Sequence, residues 1–211
     1  MNAASDARFW DRTSRKYAKG AIADQGGYER TLERTRALLK PDADVLEVGC
    51  GTGSTALLLA GGVRSYLATD ISSGMITIAE EKRLADPVPG LGFRVATAED
   101  LATEDARFDA VLGFNYLHLV RDLPGTLRIL HGLLKPDGLL ISKTPCVGDM
   151  NPLLRLLIPV MRATGLAPYV TAFGAEGLKA QLSAAGFEVV VVENHASKGG
   201  GGRPYIVARR R

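Results

Sequence analysis

Apolar and polar positions alternate along the chain in two rhythms. Short apolar runs flanked by turn-forming residues read as buried strands at Val45–Val48, Ser65–Thr69, Gly92–Ala96, Phe108–Phe114 and Leu139–Lys143. Between them the spacing turns helical, at Ser54–Ala60, Gly74–Leu84, a short stretch near Glu99–Leu101, and Asp122–Leu134. The last of these stops at Lys135-Pro136-Asp137-Gly138. Strands alternating with helices in this way predict an α/β domain with a mostly parallel sheet and helices on both faces. The final stretch departs from the rhythm. A helix at Ala175–Ala185 ends at Gly186, and Phe187–Val192 and Tyr205–Ala208 follow as an antiparallel hairpin at one sheet edge.

The first forty residues read as polar helix, broken at Gly20 and at Gly26–Gly27. Residues 151–168 are apolar and helical, with Pro152 near the start and Pro159 inside. The expected organisation is one domain of 211 residues: a helical cap over 1–40, a ligand-binding core over 41–146, a lid over 147–174, and a C-terminal helix and hairpin over 175–211.

Composition narrows the class. Hydrophobic residues make up 46% and charged ones 23%, which excludes disorder and coiled coil for the chain as a whole. The net charge of +3 is partly terminal, in Arg209, Arg210 and Arg211, which read as a solvated tail; no basic stripe suggests nucleic acid as a partner. Two cysteines, Cys50 and Cys146, make no disulfide framework, and the charged first twenty residues hold no apolar core for a signal peptide. The most apolar stretch, Leu153–Met161, falls short of the roughly 20 residues that cross a bilayer. A cytoplasmic protein is expected. Arg155 and Arg162 share a helix face, which leaves a peripheral membrane contact open for this segment beside a core-helix or lid role.

Chemistry concentrates after the first strand. Glycines at 49, 51 and 53, between a strand and a helix, let a ligand approach the backbone, and the helix N-terminus offers unpaired N–H groups. Ser54 stands where the dinucleotide fingerprint needs glycine, and no Lys-Ser or Lys-Thr pair follows for a phosphate-cradling loop. Glu47 suits a cationic or hydroxyl-bearing ligand rather than a pyrophosphate. Asp70, at the end of the second strand, can accept both hydroxyls of a ribose.

The run Val45-Leu46-Glu47-Val48-Gly49-Cys50-Gly51-Thr52-Gly53 closely resembles the first motif of class I S-adenosylmethionine-dependent methyltransferases. The likeness continues through Asp70-Ile71-Ser72 with Met75, Ala98-Glu99-Asp100-Leu101, Phe108-Asp109-Ala110-Val111 and Leu134-Lys135-Pro136-Asp137-Gly138, across roughly residues 9–208. Within the superfamily the chain is most similar to the small-molecule branch that includes quinone-biosynthesis enzymes. The resemblance implies a Rossmann-like, mostly parallel seven-stranded sheet, S-adenosyl-L-methionine as cofactor, and S-adenosyl-L-homocysteine as product. It implies that Gly49, Cys50, Gly51, Thr52 and Gly53 line the methionine end, with Glu47 beneath. Asp70 holds the ribose, Ile71 and Met75 pack near the adenine, and Ala98 and Glu99 flank its edge. Phe114 and Asn115 sit beside the methionine portion, and Tyr17 closes over it. One position departs from the pattern: Thr97 stands where an acidic or amide residue is usual, which shifts the adenine contact to Glu99 or Asp100.

Methyl transfer from a sulfonium needs positioning more than acid–base chemistry. His118, just after the fourth strand, is the candidate base, although Leu117-His118-Leu119 also fits a histidine packed on a helix face. Cys50 reads as a small loop residue rather than a nucleophile, and no cluster has metal-ligand spacing, so no metal is expected. The expected activity is methyl transfer to a small, apolar acceptor, which the 151–173 region motivates. A non-catalytic cofactor-binding sensor or partner subunit stays open, and more weakly an NAD(P)-dependent reductase.

Overall fold

The computed structural model describes residues 3–149, 161, 167–198 and 202–211. Its described strands are β1 (Asp44–Val48), β2 (Ser65–Asp70), β3 (Leu91–Val95), β4 (Phe108–Phe114), β5 (Leu134–Lys143), β6 (Phe187–Glu193) and β7 (Tyr205–Arg210). They form one sheet in the order β3-β2-β1-β4-β5-β7-β6. The pairs from β3 to β5 are parallel; β7 runs antiparallel to both β5 and β6. The mostly parallel sheet with an antiparallel C-terminal pair is therefore as expected, with β7 slotted between β5 and the edge strand β6.

Alternation along the strands sets the two faces. Leu46 and Val48 of β1, Val111 of β4 and Leu140 of β5 share a core with α5 (Ala98–Leu101), α6 (Leu123–Leu133) and α7 (Ala175–Ala184). Val45, Ala110, Leu112 and Ile141 point the other way, to α2 (Gln25–Leu38), α3 (Ser54–Leu59) and α4 (Ser73–Ala85). Helix α1 (Ala3–Ala18) lies outside this second layer against α4.

Three elements differ from the sequence reading. Gly26 and Gly27 do not break the chain but form the first turn of α2, whose N-cap Asp24 accepts a hydrogen bond from Gly27 N–H at 3.0 Å. A side chain at 27 would run into the Asp24 carboxylate and the His195 carbonyl, so glycine is there for closeness rather than for a turn. The Lys135-Pro136-Asp137-Gly138 segment does end α6, yet it lies within β5 as a bulge, with Asp137 at φ +61°. Asp109 accepts from Lys135 Nζ at 2.8 Å and from Asp44 N–H at 2.7 Å, which fastens this bulge to the start of β1. The terminal arginines are not all tail. Arg209 and Arg210 belong to β7, the Arg210 guanidinium donates to the Leu134 carbonyl, and Arg211 pairs with Glu188 at 3.4 Å.

Of the apolar 151–168 segment, residues 151–160 and 162–166 lie outside the described residues, and with them Arg155, Pro159 and Arg162. Among the described residues, no helix is long and apolar enough to cross a membrane.

Replacing Gly27 with alanine places a Cβ 2.7 Å from the His195 carbonyl oxygen. The expected cost is about 1–3 kcal/mol of stability, as for overpacking elsewhere. Urea denaturation of Gly27→Ala against the parent checks it.

Candidate functional site

The carboxyl ends of β1, β2, β4 and β5 converge at one rim of the sheet, where ligands bind in open parallel folds. Glycines 49, 51 and 53 follow β1 with φ of +67°, +55° and +73°, values that an L side chain rarely adopts. Two of the three are also fixed by crowding. A Cβ on Gly49 would meet Tyr116 Cδ2 at 2.6 Å, and one on Gly53 would meet Phe93 Cζ at 2.6 Å and Ala79 Cβ at 2.8 Å. A Cβ on Gly51 would find only Tyr17 Cε1, at 3.8 Å, so the space over Gly51 is left free by the protein.

The Asp70 carboxylate holds this loop. One oxygen accepts from Gly51 N–H and the other from Ser72 N–H, each at 2.9 Å. Each oxygen keeps a further lone pair for a ligand. Burial raises the Asp70 pKa, against the lowering effect of those two amides. From below, Lys82 Nζ donates to the Thr52 carbonyl, Thr52 Oγ1 and Ser54 Oγ at 2.9–3.0 Å. Glu47 lies beneath the loop, fully buried, and accepts from the Tyr66 hydroxyl at 2.8 Å. Burial, with Asp70 adding to it, pushes the Glu47 pKa up to about 8, so its carboxyl is mostly protonated at neutral pH.

Helix α1 is fastened over the rim by three polar contacts. Asp6 pairs with Arg121 at 2.8 Å, and Arg15 with Glu81 at 2.8 Å. Between them Asp11 accepts from Ser72 Oγ at 2.7 Å and from Gly74 N–H at 2.9 Å, capping the start of α4 from another helix. The result places Trp10 and Tyr17, ring centroids 6.1 Å apart and edge to face, on the wall of a cavity of about 1110 Å³.

The structure brings most of the expected methionine-end residues to that cavity: Tyr17, Glu47, Gly49, Cys50, Gly51 and Thr52 line it, as do Phe114 and Asn115. Asn115 is exposed at the end of β4 with φ +52°. Gly53 caps α3 from behind. The adenosine-side residues do not line the cavity. Ile71 and Asp70 follow one another off β2, Met75 and Ala98 are buried, and Glu99 is exposed. Thr97 and Asp100 are engaged in a reciprocal capping box at the start of α5, which leaves Glu99 as the available carboxylate there. His118 is half-buried away from the cavity wall. Its Nδ1 lies 3.2 Å from Thr144 Oγ1, and burial first, then Arg203, lowers its pKa to about 4. Cys50 is buried and its thiol pKa raised by burial, as suits a loop residue rather than a nucleophile. Among the described residues no group of three or more His, Cys, Asp and Glu could hold a metal.

Asp11, Tyr28, Lys82, Tyr116 and Lys143 were not legible as site residues. Asp11 and Lys82 act across long sequence separations, and no local pattern marks them. Tyr116, one residue past the expected Asn115, packs on Gly49; both Glu99 and Asp70 act on its phenol electrostatically.

Residues 17–192 match the family model described as "Methyltransferase domain". The chain belongs to that family. It is a methyltransferase domain. It is 34% identical over 169 residues to arginine-hydroxylase NDUFAF5, mitochondrial, of Danio rerio, spanning 78% of this chain and 51% of that protein. It is 36% identical over 109 residues to the hybrid PKS-NRPS synthetase iliA of Neonectria sp. (strain DH2), spanning 48% of this chain and 3% of that protein. The chain thus spans about half or far less of these relatives' length. In fold it is similar to magnesium protoporphyrin IX methyltransferase of Synechocystis PCC 6803 with bound SAH, at a TM-score of 0.69 and 20% identity over 98% of this chain and 95% of that one.

Glu47 gives a pH prediction. Its folded pKa of about 8 lies above the ordinary carboxylate value, so the native state holds a proton that the unfolded chain releases. The stability from this group is complete below about pH 4, declines as pH rises from there, and is gone above about pH 8. Glu47→Gln keeps a neutral side chain throughout, so its melting temperature should fall less than the parent's between pH 5 and pH 9. Parallel slopes would contradict the buried, protonated carboxyl.

Proposed function

We propose that this methyltransferase domain transfers a methyl group to a small acceptor with a largely apolar body. The observation that carries the reading is the cavity beside the glycine loop, walled by Phe9, Trp10, Tyr17, Tyr28, Ile22 and Phe114. When bound, S-adenosylmethionine supplies a methyl already activated on a sulfonium, so the protein's task is placement.

The residues suit that cofactor. The open space over Gly51, the spare lone pairs of Asp70 and the neutral Glu47 leave room and acceptors for a polar, cationic ligand. We assign Gly49 to Gly53 and Asn115 to the methionine end, Asp70 to the ribose hydroxyls, and Ile71, Met75, Ala98 and Glu99 to the adenine side. Tyr17 and Trp10, brought over the rim by α1, exclude water and hold the acceptor in line. An in-line approach near 3 Å can supply much of the acceleration through effective molarity alone. His118, set behind the wall, is assigned to packing: its ring faces Thr144, and its carbonyl accepts from Thr171 N–H at 2.7 Å. Buried free thiols at Cys50 and Cys146 support a reducing compartment.

The arginine-hydroxylase name of one relative keeps a second reading, a domain of this family with another activity or none. Production of S-adenosylhomocysteine from S-adenosylmethionine with a small apolar acceptor separates them. S-adenosylhomocysteine at 100 times its dissociation constant should stabilise the protein by about 2.7 kcal/mol. Asp70→Ala should abolish most of that gain, read as the ligand-induced rise in melting temperature. His118→Gln should leave the gain intact and change turnover by less than about tenfold, below the usual contribution of a general base.

A further inference from the structure

The cavity wall is not apolar all round. It also carries Lys143, the last residue of β5, with Arg203 and Lys198 from the β6–β7 connection and Lys16 from α1. Among the described residues several cations elsewhere have carboxylate partners: Arg15, Arg34, Arg64, Arg83, Arg121 and Lys135 all pair. Lys143 instead donates to two neutral oxygens, the Gly27 carbonyl at 3.1 Å and Thr31 Oγ1 at 2.9 Å. An ammonium has three N–H groups, so one remains. Lys143 is half-buried, its hydrogen-bond acceptors are neutral, and the carboxylate that acts on it, Asp24, does so through space rather than as a bonded partner. Burial lowers its pKa, Asp24 opposes that, and Arg203 and then Arg30 add to the lowering. Arg203 also depresses His118, which puts its guanidinium within electrostatic reach of both.

The ionised carboxylates lining the cavity, Asp24 and Asp149, are fewer than its four cations. Asp24 accepts from the Gly27 and Ser197 amides at 3.0 and 2.9 Å. Asp149 accepts from Ala175 N–H at 2.7 Å. Glu47 holds its proton to about pH 8. A cavity lined by aromatic rings and by more cations than ionised carboxylates suits an amphipathic guest.

We propose that the methyl acceptor carries an oxyanion, a carboxylate or phosphate, held by Lys143 and Arg203 while its apolar body rests on the aromatic wall. The inference rests on reading this cavity as the acceptor site. It adds the polar end that an apolar acceptor lacks and names two residues that choose the substrate class. An anion here accepts the remaining Lys143 N–H and a fork from the guanidinium, both charge-assisted.

Trp10 is the single tryptophan of the sequence and lines the cavity, so its fluorescence reports occupancy. With S-adenosylhomocysteine saturating, the protein is titrated with octanoate, octyl phosphate and octanamide, which share a chain and differ in charge. At least one anion should bind about tenfold or more tighter than the amide, the scale of a hydrogen bond to a charged group; which anion does so separates carboxylate from phosphate. Lys143→Gln and Arg203→Gln should each bring that preference toward parity, with Lys143→Arg retaining it and the affinity for S-adenosylhomocysteine unchanged in all three. Arg203 is exposed, so its variant tests the idea even where loss of Lys143 loosens α2. Equal affinity for anions and amide, or no response to any of them, overturns the proposal. So does a Lys143→Gln or Arg203→Gln variant that loses S-adenosylhomocysteine in step with the anion, since the charge then serves the cofactor. A parent protein that fails to bind S-adenosylhomocysteine at all overturns the underlying methyltransferase reading instead.

Discussion

The Asp70 carboxylate sits between two backbone amides, Gly51 N–H on one side and Ser72 N–H on the other, at the point where β2 leaves the sheet. The glycine loop has no regular ladder of its own, and glycines are free to turn either way, so its shape must be fixed from outside. Asp70 supplies that constraint from the neighbouring strand. Ser72 then caps α4 by accepting from Met75 N–H, and Asp11 of α1 binds the Ser72 hydroxyl. One chain of hydrogen bonds therefore runs from the glycine loop through Asp70 and Ser72 to the helix that roofs the cavity. Loop shape, helix start and roof position are consequences of the same carboxylate.

The buried polar groups around it divide by job. Glu47 and Tyr66 satisfy each other beneath the loop and need no charge to do so. Lys82 spends its donors on loop oxygens. At the opposite end of the sheet, Asp44, Asp109, Arg64 and Lys135 form a network in which Arg64 above all holds the Asp44 carboxyl well below the usual range. That network is architectural: it pins the starts of β1 and β4 to the bulge in β5, far along the strands from the rim where ligands meet the protein.

Much of this was written locally in the chain. Strand after strand, the β1-to-β5 runs and the helices between them follow from periodicity, and the glycine positions mark the rim. The run Phe108-Asp109-Ala110-Val111 and the Lys135-Pro136-Asp137-Gly138 segment also stand out in the sequence, but only the structure shows that Asp109 and Lys135 meet as an ion pair of 2.8 Å. What local pattern cannot carry is partnership at a distance. Asp11 capping a helix more than sixty positions away, or Lys143 reaching the first turn of α2, leaves no periodic trace. The same holds for Gly26 and Gly27, which look like breakers although their role is a close approach to the far end of the chain, Gly26 to Ser197 and Gly27 to the His195 carbonyl.

Strand β7 lies between β5 and β6, so neither neighbour has a complete set of ladder partners until it is inserted. It brings Tyr205, Ile206, Val207 and Ala208, all buried, and the Tyr205 ring stacks on His195 at 4.5 Å. Before that insertion β5 is an open edge carrying apolar side chains, and Val190 and Val192 of β6 are exposed even afterwards. Unpaired edges of this kind are templates for pairing with other chains. A weakened β7 thus leaves the sheet open at β5, and aggregation rather than loss of ligand binding is the first symptom to look for.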